Sequence, residues 1–413
     1  MSLDRRRFVH CSLCATAGSW LLQACGESMA VPDEGPVDAG GSPDRGAGSA
    51  CDDAFRGGTL IRTVPFVGTR DTRFHTKLGR GWDGRLYTDL SALTDGSLLV
   101  DNERFYLRTF DPDGIAPDLD RVRDWTVRVT GMVEEETTLR MADLEPLVRD
   151  QGAHVLECSG NFREAGFGLL SAGTWAGAPM SDVLDSVRPL PGATRVMVSG
   201  FDEHSVPSVG GHSTPGAEWI FTFDQLRETG AFLATRMNGE LLPPDHGAPL
   251  RLYVPGWYGC TCIKWVNELR FVDEDEPSTG QMREFASRTH QLGVPTLARD
   301  FRPASMDQSA MPVRVEQWEV DGAPLYRVIG VLWGGSRPVQ DLIFEAEGDV
   351  LTEEPVEVCP PMTQNQLWTL WQHAWRPTST GTWDLYNRVD DPDVRTFRLD
   401  RGWYGRSVVI DAV

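Results

Sequence analysis

From Leu60 onward, short runs of alternating apolar and polar residues recur along the chain, and this pattern predicts β-strands separated by turns. Two runs with helical spacing lie among the strands, at 179–187 and 222–228. The second opens with Thr222 and Gln225 at capping-box spacing. The strand candidates of this first half are 125–130, 154–157, 195–199, 232–236 and 250–254. Strands mixed with short helices and long loops predict an α+β domain that ends near residue 291.

After residue 291 the pattern changes to short alternating runs with no helical segment between them. These runs are 313–320, 325–332, 341–345, 367–371, 382–389 and 407–410. Their spacing predicts an all-β sandwich as a second domain. The chain is long enough, and apolar enough, to bury two separate cores.

The first residues have the layout of an export signal rather than of a transmembrane helix. Arg5 and Arg6 precede Phe8, and a short apolar run then extends to Leu22. Paired arginines before a phenylalanine are typical of a twin-arginine signal, which exports proteins that are already folded. The run ending at Cys25 resembles a bacterial lipobox, which would place a lipid on Cys25. Ordinary cleavage nearby, with Cys25 unlipidated, is the alternative.

Residues 25–57 are rich in Gly, Pro, Asp, Ser and Ala and carry almost no large apolar side chains, which predicts a flexible linker. The chain therefore divides into four predicted parts. They are an export signal with a lipobox (1–24), a flexible linker (25–57), an α+β domain (58–291) and a β-sandwich domain (292–413).

The net charge is −21, and it becomes −23 without the signal, because residues 1–24 carry three arginines and one aspartate. So acidic a surface excludes nucleic acid and anionic lipid headgroups as partners. It suits a basic electron-transfer partner. We expect a periplasmic protein, anchored to the membrane through a lipid on Cys25.

Cys158 follows an apolar strand candidate and opens a small polar turn that includes Asn161 and Arg163, with Glu157 immediately before it. A carboxylate, an amide and a guanidinium beside one thiol can hold a thiolate and leave its sulfur free for a soft metal. The alternative is a buried structural cysteine, which normally has apolar neighbours.

Further motifs follow Cys158 in the chain. They are Pro243-Pro244-Asp245-His246-Gly247-Ala248-Pro249-Leu250-Arg251, Val254-Pro255-Gly256 and Ile263-Lys264-Trp265. Together with the Cys158 segment, these motifs resemble the molybdenum-cofactor domain of the sulfite oxidase family. The resemblance implies a sulfite oxidase-like molybdopterin-binding domain, followed by an immunoglobulin-like domain that commonly mediates dimerisation, so a homodimer is expected.

The resemblance also implies a molybdenum–molybdopterin cofactor with Cys158 as the metal ligand. Arg251 and Lys264 would hold the pterin phosphate, and His246 would donate to the cofactor from its turn. Other residues match positions that contact the cofactor. These are Tyr106, Leu107, Arg108, Asp202, Cys262 and Ile263.

Arg108 and Arg163 match the arginines that line the family's anion pocket, and they complete the predicted catalytic set with Cys158. Three positions depart from the family pattern. Phe285 aligns with its active-site tyrosine, Thr369 with a substrate-binding arginine of the second domain, and Phe110 with a position that is often histidine. Losing a phenol and a guanidinium removes a donor and a charge, so a substrate larger and less charged than sulfite is favoured.

The sequence therefore predicts an exported molybdopterin-dependent oxidoreductase that transfers an oxygen atom to or from a small substrate. No haem domain is fused to the chain, so electrons would pass to a separate acceptor such as a c-type cytochrome. One alternative is a sulfoxide or oxyanion reductase that uses the same centre. An alternative of another class is a lipid-tethered, non-catalytic binding protein, which metal analysis would distinguish.

The remaining cysteines leave two questions open. Cys51, Cys260, Cys262 and Cys359 allow one or two disulfides in an oxidising compartment, with no pairing that the sequence decides. Cys260 and Cys262 with His246 are weak zinc ligands, because one-residue cysteine spacing is not that of a zinc site.

Replacing Arg5 and Arg6 by lysine should leave a folded precursor in the cytoplasm, because a twin-arginine signal depends on the arginine pair. Replacing Cys25 by alanine should release the mature protein from the membrane. Cell fractionation and immunoblotting measure both effects. Unchanged membrane association of the Cys25→Ala variant would count against lipidation.

Overall fold

The structure, a computed structural model, describes residues 54–69, 73–79, 84–108, 124–200, 217–289, 302–358 and 362–413. The predicted export signal and most of the predicted linker lie outside these ranges. So do Phe110, Asp202, Cys51 and Cys359. All the described residues belong to one compact unit, Gly48–Val413.

Up to residue 289, the described chain forms fourteen strands and four short α-helices. In chain order they are β1 (Thr59–Val64), β2 (Phe66–Val67), β3 (Arg85–Leu86), β4 (Leu107–Arg108), β5 (Thr126–Gly131), β6 (Thr137–Arg140), α1 (Met141–Leu144), β7 (Arg149–Glu157), β8 (Leu170–Pro179), α2 (Met180–Ser186), β9 (Arg195–Gly200), β10 (Glu218–Thr222), α3 (Phe223–Glu228), β11 (Phe232–Met237), β12 (Glu240–Leu241), β13 (Arg251–Tyr253), β14 (Val266–Val272) and α4 (Gly280–Phe285). Each strand and helix predicted in this half is present. The capping box that opens α3 is also formed, because Thr222 and Gln225 bond each other's backbone N–H groups.

All the regular elements in the rest of the described chain are strands. They are β15 (Ser309–Val320), β16 (Ala323–Trp333), β17 (Leu342–Glu347), β18 (Leu351–Val358), β19 (Thr369–Trp375), β20 (Gly381–Val389) and β21 (Arg406–Ile410). The prediction of mostly sheet content is confirmed. An immunoglobulin-like arrangement of these strands stays a prediction.

Two five-stranded sheets build the first half. One has the order β10-β9-β14-β5-β6, with β14 and β5 parallel. The other has the order β12-β11-β8-β7, and β13 pairs with β11. The second sheet positions the candidate site, because β7 ends next to Cys158 and β13 carries Arg251.

The third sheet has nine strands in the order β1-β15-β16-β19-β18-β17-β20-β21-β2. Its two outermost strands, β1 and β2, are neighbours in the chain and are separated by Pro65, which has no N–H to continue a ladder. The segment predicted to begin the first domain therefore pairs with strands of the second. Phe55, inside the predicted linker, is buried with its ring centroid 5.6 Å from that of Trp318, so folded structure begins before residue 58.

Tryptophans fill the core of the nine-stranded sheet. Trp371, Trp375 and Trp383 are fully buried, and Trp375 contacts Trp383 edge to face at 5.4 Å. The Trp371 ring lies against Gly330, where a Cβ atom would overlap it, so glycine in mid-strand makes room for the indole. Among the described residues, no helix is long and apolar enough to span a membrane.

Candidate functional site

The Cys158 loop, residues 158–169, joins β7 to β8 and is closed by its own hydrogen bonds. Cys158 N–H donates to the Leu169 carbonyl at 3.0 Å, and the Asn161 side-chain oxygen accepts from Leu169 N–H at 3.1 Å. Cys158 is a free thiol with 8% of its surface exposed. The predicted metal ligand thus lies at a strand end, in a loop whose backbone is held on both sides.

The Glu157 carboxylate, immediately before the thiol, is completely buried and contacts the far part of the chain. Tyr404 donates to one of its oxygens at 2.8 Å and Trp333 donates to the other at 3.1 Å. Asn161 donates at 3.4 Å, and the Arg398 guanidinium lies 3.5 Å away. Burial raises the Glu157 pKa, and the attraction of Arg398 and these donors opposes that rise.

Arg398 also holds the Cys158 loop directly. It donates to the Ser159 carbonyl at 2.7 Å, and its guanidinium lies over the rings of Tyr258 and Trp403 at 4.5 and 5.4 Å. Neither Arg398 nor Tyr404 was a predicted site residue. Each stands in no recognisable motif, so only its position in the fold reveals its contact.

Tyr106 is buried beside the cysteines. Its hydroxyl lies so close to Gly259 that a Cβ atom there would be 2.6 Å from it. Burial raises the Tyr106 pKa well above its ordinary value, the Cys158 thiol adds to the rise, and Arg251 opposes it. The phenol therefore keeps its proton and can donate. Leu107 and Arg108, which follow, form β4.

His246 ends a 3₁₀ turn, Pro244–His246, and is buried. Its Nε2 lies 3.2 Å from the Asn102 carbonyl, which can only accept, so Nε2 carries the proton. Burial lowers the His246 pKa to about 3, with nearby Lys264 and Arg251 adding to the effect, so the ring is neutral. Nδ1 is then an acceptor. In this arrangement Nδ1 would accept a hydrogen bond from a ligand, and the donor role of His246 stays a prediction.

Arg251 lies on β13 with 4% of its surface exposed. It donates to the His246 carbonyl at 3.2 Å and lies over the Trp175 ring at 5.8 Å. Within the described ranges, Arg251 Nε, His246 Nδ1 and Trp175 Nε1 are buried with no hydrogen-bond partner. Phe105 contacts both the Trp175 and the His246 ring, so the three residues are neighbours.

Buried polar atoms without partners are costly, so three of them in neighbouring residues indicate a polar ligand. Two are donors and one is an acceptor, and Arg251 adds a full positive charge. A phosphate and the ring nitrogens of a pterin match that set, and the Cys158 thiol matches a soft metal. The residues present therefore fit a molybdenum–molybdopterin cofactor.

Lys264 lies against the same turn. Its ammonium donates to the Asp245 carbonyl at 2.7 Å and to the Arg108 carbonyl at 3.4 Å, and the Asp245 carboxylate pairs with Lys77. Cys262 and Ile263, the residues before it, are buried. The Cys262 sulfur accepts from Val254 N–H at 3.4 Å, and burial raises its pKa.

The structure places Arg163 differently from the other predicted residues. Its guanidinium donates to the Ser407 hydroxyl on β21, and that hydroxyl donates to Asp384 on β20. These contacts lead toward the nine-stranded sheet. Two of the positions that differ from the family pattern are described. Phe285 is partly buried at the end of α4, and Thr369 begins β19.

Cys260 and Cys262 are free thiols. No cluster of three or more His, Cys, Asp or Glu side chains that could hold a metal is found in the part of the chain that the structure describes. The weak zinc alternative gains no support from this geometry.

Comparison with known proteins identifies this architecture. Residues 114–280 match the oxidoreductase molybdopterin binding domain. The chain is 34% identical to an NADPH nitrate reductase of Aspergillus niger over 60% of its own length and 30% of the relative's. It is 27% identical to mitochondrial sulfite oxidase of Mus musculus over 68% of its own length and 53% of the relative's. It thus spans only about half or less of these relatives.

The fold is similar to a solved structure, the sulfane dehydrogenase SoxCD from Paracoccus pantotrophus. The TM-score is 0.56 at 17% sequence identity, over 89% of this chain and 92% of that one. Fold and site together define a molybdopterin-binding oxidoreductase. The matching domain and the sulfite oxidase relatives indicate a molybdenum–molybdopterin cofactor and a protein of the sulfite oxidase type.

Replacing Arg398 by methionine should destabilise the protein by about 3–5 kcal/mol, because it leaves the Glu157 carboxylate buried without its cation. Urea unfolding followed by tryptophan fluorescence measures the loss. Arg401→Met, at an exposed arginine of the same segment, is the control and should cost far less. Equal stability of the two variants would show that Arg398 does not hold the Cys158 loop.

Proposed function

We propose that this protein transfers an oxygen atom between its molybdenum centre and a small oxygen compound, and passes the electrons to a separate acceptor. The observation that carries the proposal is the Cys158 thiol, held at a strand end beside Tyr106 and Arg251, with unpartnered buried polar atoms nearby. When bound, the cofactor supplies a metal that exchanges an oxygen atom together with two electrons.

The chain's own residues would divide the work of holding the cofactor. Cys158 would ligate the metal. Its thiolate is a soft ligand, and it would add one protein sulfur to the sulfurs that the pterin supplies. Arg251 and Lys264 would hold the phosphate through charge-assisted bonds. His246 Nδ1 would accept a hydrogen bond from the pterin, because its other nitrogen is committed to Asn102.

The surroundings of the thiol support this division of roles. The Glu157 network fixes the backbone on both sides of Cys158, so the sulfur is positioned before any ligand binds. Tyr106 keeps its phenolic proton and can donate to an oxygen atom near the metal. Arg108 and Asp202 remain proposed cofactor contacts, and Arg108 with Arg163 would attract an anionic substrate.

Oxyanion reduction is the second candidate. It is favoured by the 34% identity to a nitrate reductase and by Phe285 and Thr369, which replace a tyrosine and an arginine expected for sulfite oxidation. The first candidate is oxidation of a small sulfur compound that is larger and less charged than sulfite. The match to a sulfite oxidase over 68% of this chain supports it. A non-catalytic protein would lack stoichiometric molybdenum.

The proposed partners follow from the net charge of the chain and from its predicted export signal. With a net charge of −21, the protein would attract a basic acceptor such as a c-type cytochrome. The proposal also includes export with the cofactor already inserted and a lipid on Cys25. It further includes a homodimer built on an immunoglobulin-like domain.

Raising the ionic strength should slow electron transfer to such a basic acceptor, because salt screens the attraction between the two proteins.

Replacing Cys158 by serine should leave the fold intact and abolish turnover, because a hydroxyl does not replace a soft thiolate ligand. Molybdenum and pterin are quantified in the purified protein, and oxidation and reduction are assayed with sulfite, sulfoxides and nitrate. Cys260→Ser, at a neighbouring free thiol, is the control and should retain metal. Wild-type rates in the Cys158→Ser variant would refute the ligand assignment.

Replacing Arg251 by alanine should lower cofactor occupancy at least tenfold, because a lost charge-assisted bond to phosphate costs about 1.5–3 kcal/mol. Pterin content per folded protein measures the effect. Arg236→Ala, at a half-exposed arginine of neighbouring β11, should keep full occupancy. If Arg251→Ala retained its cofactor and only its Michaelis constant rose, Arg251 would belong to the substrate pocket instead.

A further inference from the structure

Asn238 follows β11 and forms, with Gly239, the turn that leads into β12. The φ angle is 50° at Asn238 and 80° at Gly239, and Asn-Gly is favoured in two-residue hairpin turns because both positions need a positive φ. A glycine at position 238 would satisfy the backbone equally well. The Asn238 side chain, however, makes hydrogen bonds that leave the turn, so the turn alone does not account for an asparagine here.

These hydrogen bonds hold the Asn238 amide in one orientation. Its Oδ1 accepts from Thr174 N–H on β8 at 2.9 Å, and its Nδ2 donates to the Val100 carbonyl at 2.8 Å and to Asn102 Oδ1 at 2.9 Å. A backbone N–H can only donate and a backbone carbonyl can only accept. The Asn238 amide therefore cannot flip without losing both of these backbone bonds, and Asn102 Oδ1 faces a donor.

Asn102 connects this amide to His246. Its Nδ2 donates to the Met237 carbonyl at 3.3 Å and to the exposed Glu240 carboxylate at 3.1 Å, so the hairpin of β11 and β12 holds both ends of the Asn102 side chain. The Asn102 backbone carbonyl lies 3.2 Å from His246 Nε2. A continuous series of hydrogen bonds thus extends from β8 to the imidazole, and the donor and acceptor of each bond are defined.

The series decides which ring nitrogen of His246 carries the proton. A neutral imidazole has two tautomers, and the hydrogen bond at one nitrogen selects between them. A carbonyl at Nε2 keeps the proton there and leaves Nδ1 as an acceptor, and Nδ1 is buried with no partner among the described residues. The Phe105 ring packs edge to face on the imidazole at 5.5 Å. The free acceptor of His246 therefore depends on two asparagines, of which only Asn102 contacts the ring.

We propose that Asn102 and Asn238 are positioning residues for the cofactor, because they hold the His246 proton on Nε2 and keep Nδ1 available to a donor of the pterin. The proposal rests on the proposed role of His246 in holding the cofactor. Both asparagines act through His246. Loss of either should lower cofactor occupancy and leave the turnover of each bound molybdenum unchanged.

The first test is Asn238→Asp, which keeps the size of the side chain and the acceptor for Thr174 N–H. It places a second acceptor against the Val100 carbonyl and Asn102 Oδ1, where the wild type has a donor. Pterin content per folded protein should fall about tenfold, the effect of about one buried hydrogen bond. Asn238→Gly keeps the positive φ and also loses the donor, so it decides the question should Asn238→Asp fail to fold.

Glu240→Ala is the matched control. It removes the exposed partner of Asn102 and leaves the Met237 carbonyl as the acceptor, so full pterin content is expected. Full pterin content in Asn238→Asp as well would overturn the proposal.

The second measurement observes the His246 ring directly. The chemical shifts of the ring nitrogens in protein labelled at histidine show which nitrogen carries the proton, and His246→Gln identifies the signals of this ring. The wild type should show a protonated Nε2 and an unprotonated Nδ1, whereas Asn238→Asp should show partial protonation of both. A purely structural role would lower the melting temperature and leave these shifts unchanged, and that result would also contradict the proposal.

Both measurements are separate from turnover, so they distinguish this proposal from the proposed function. A wild-type protein that holds pterin through the asparagine pair but turns over no substrate would sustain the pair and reject the oxidoreductase. Normal turnover, together with wild-type pterin content in Asn238→Asp, would reject the pair and sustain the oxidoreductase.

Discussion

The candidate site depends on one buried carboxylate, that of Glu157. It is the last residue of β7, and the thiol of the next residue can be positioned only if this strand end is fixed. Donors from Tyr404 and Trp333 satisfy its two oxygens, and Arg398 supplies the opposite charge. A buried charge with partners at these positions is costly to displace, so it joins the Cys158 loop to the nine-stranded sheet.

Two kinds of buried polar group lie near the thiol. Around Glu157 nearly every donor and acceptor is paired, and such networks make a structure rigid. Around Arg251 and His246 several buried polar atoms have no partner among the described residues. The paired network supports the site, and the unpaired atoms are the part of it that a cofactor would complete. A protein keeps costly unpaired groups where a ligand repays their desolvation.

Arg406 extends the same argument to a second place. Arg406 is about as buried as Arg251, and the Nε of each has no hydrogen-bond partner among the described residues. Arg406, however, belongs to the nine-stranded sheet. Both halves of the chain therefore contribute cations around the loop.

The sequence by itself determined the alternating strands, the capping box at Thr222 and the order of motifs around Cys158 and Arg251, because each is a local pattern of a few residues. It missed β8, whose ten residues are mostly buried and hence do not alternate. Only the tertiary structure paired β1 and β2 with strands of the second domain. It alone also showed that Nδ1 of His246 is the ring nitrogen without a hydrogen-bond partner. It also brought Arg398 to Glu157 across 241 residues, a contact that no periodicity records, because periodicity shows which face is buried and not what covers it.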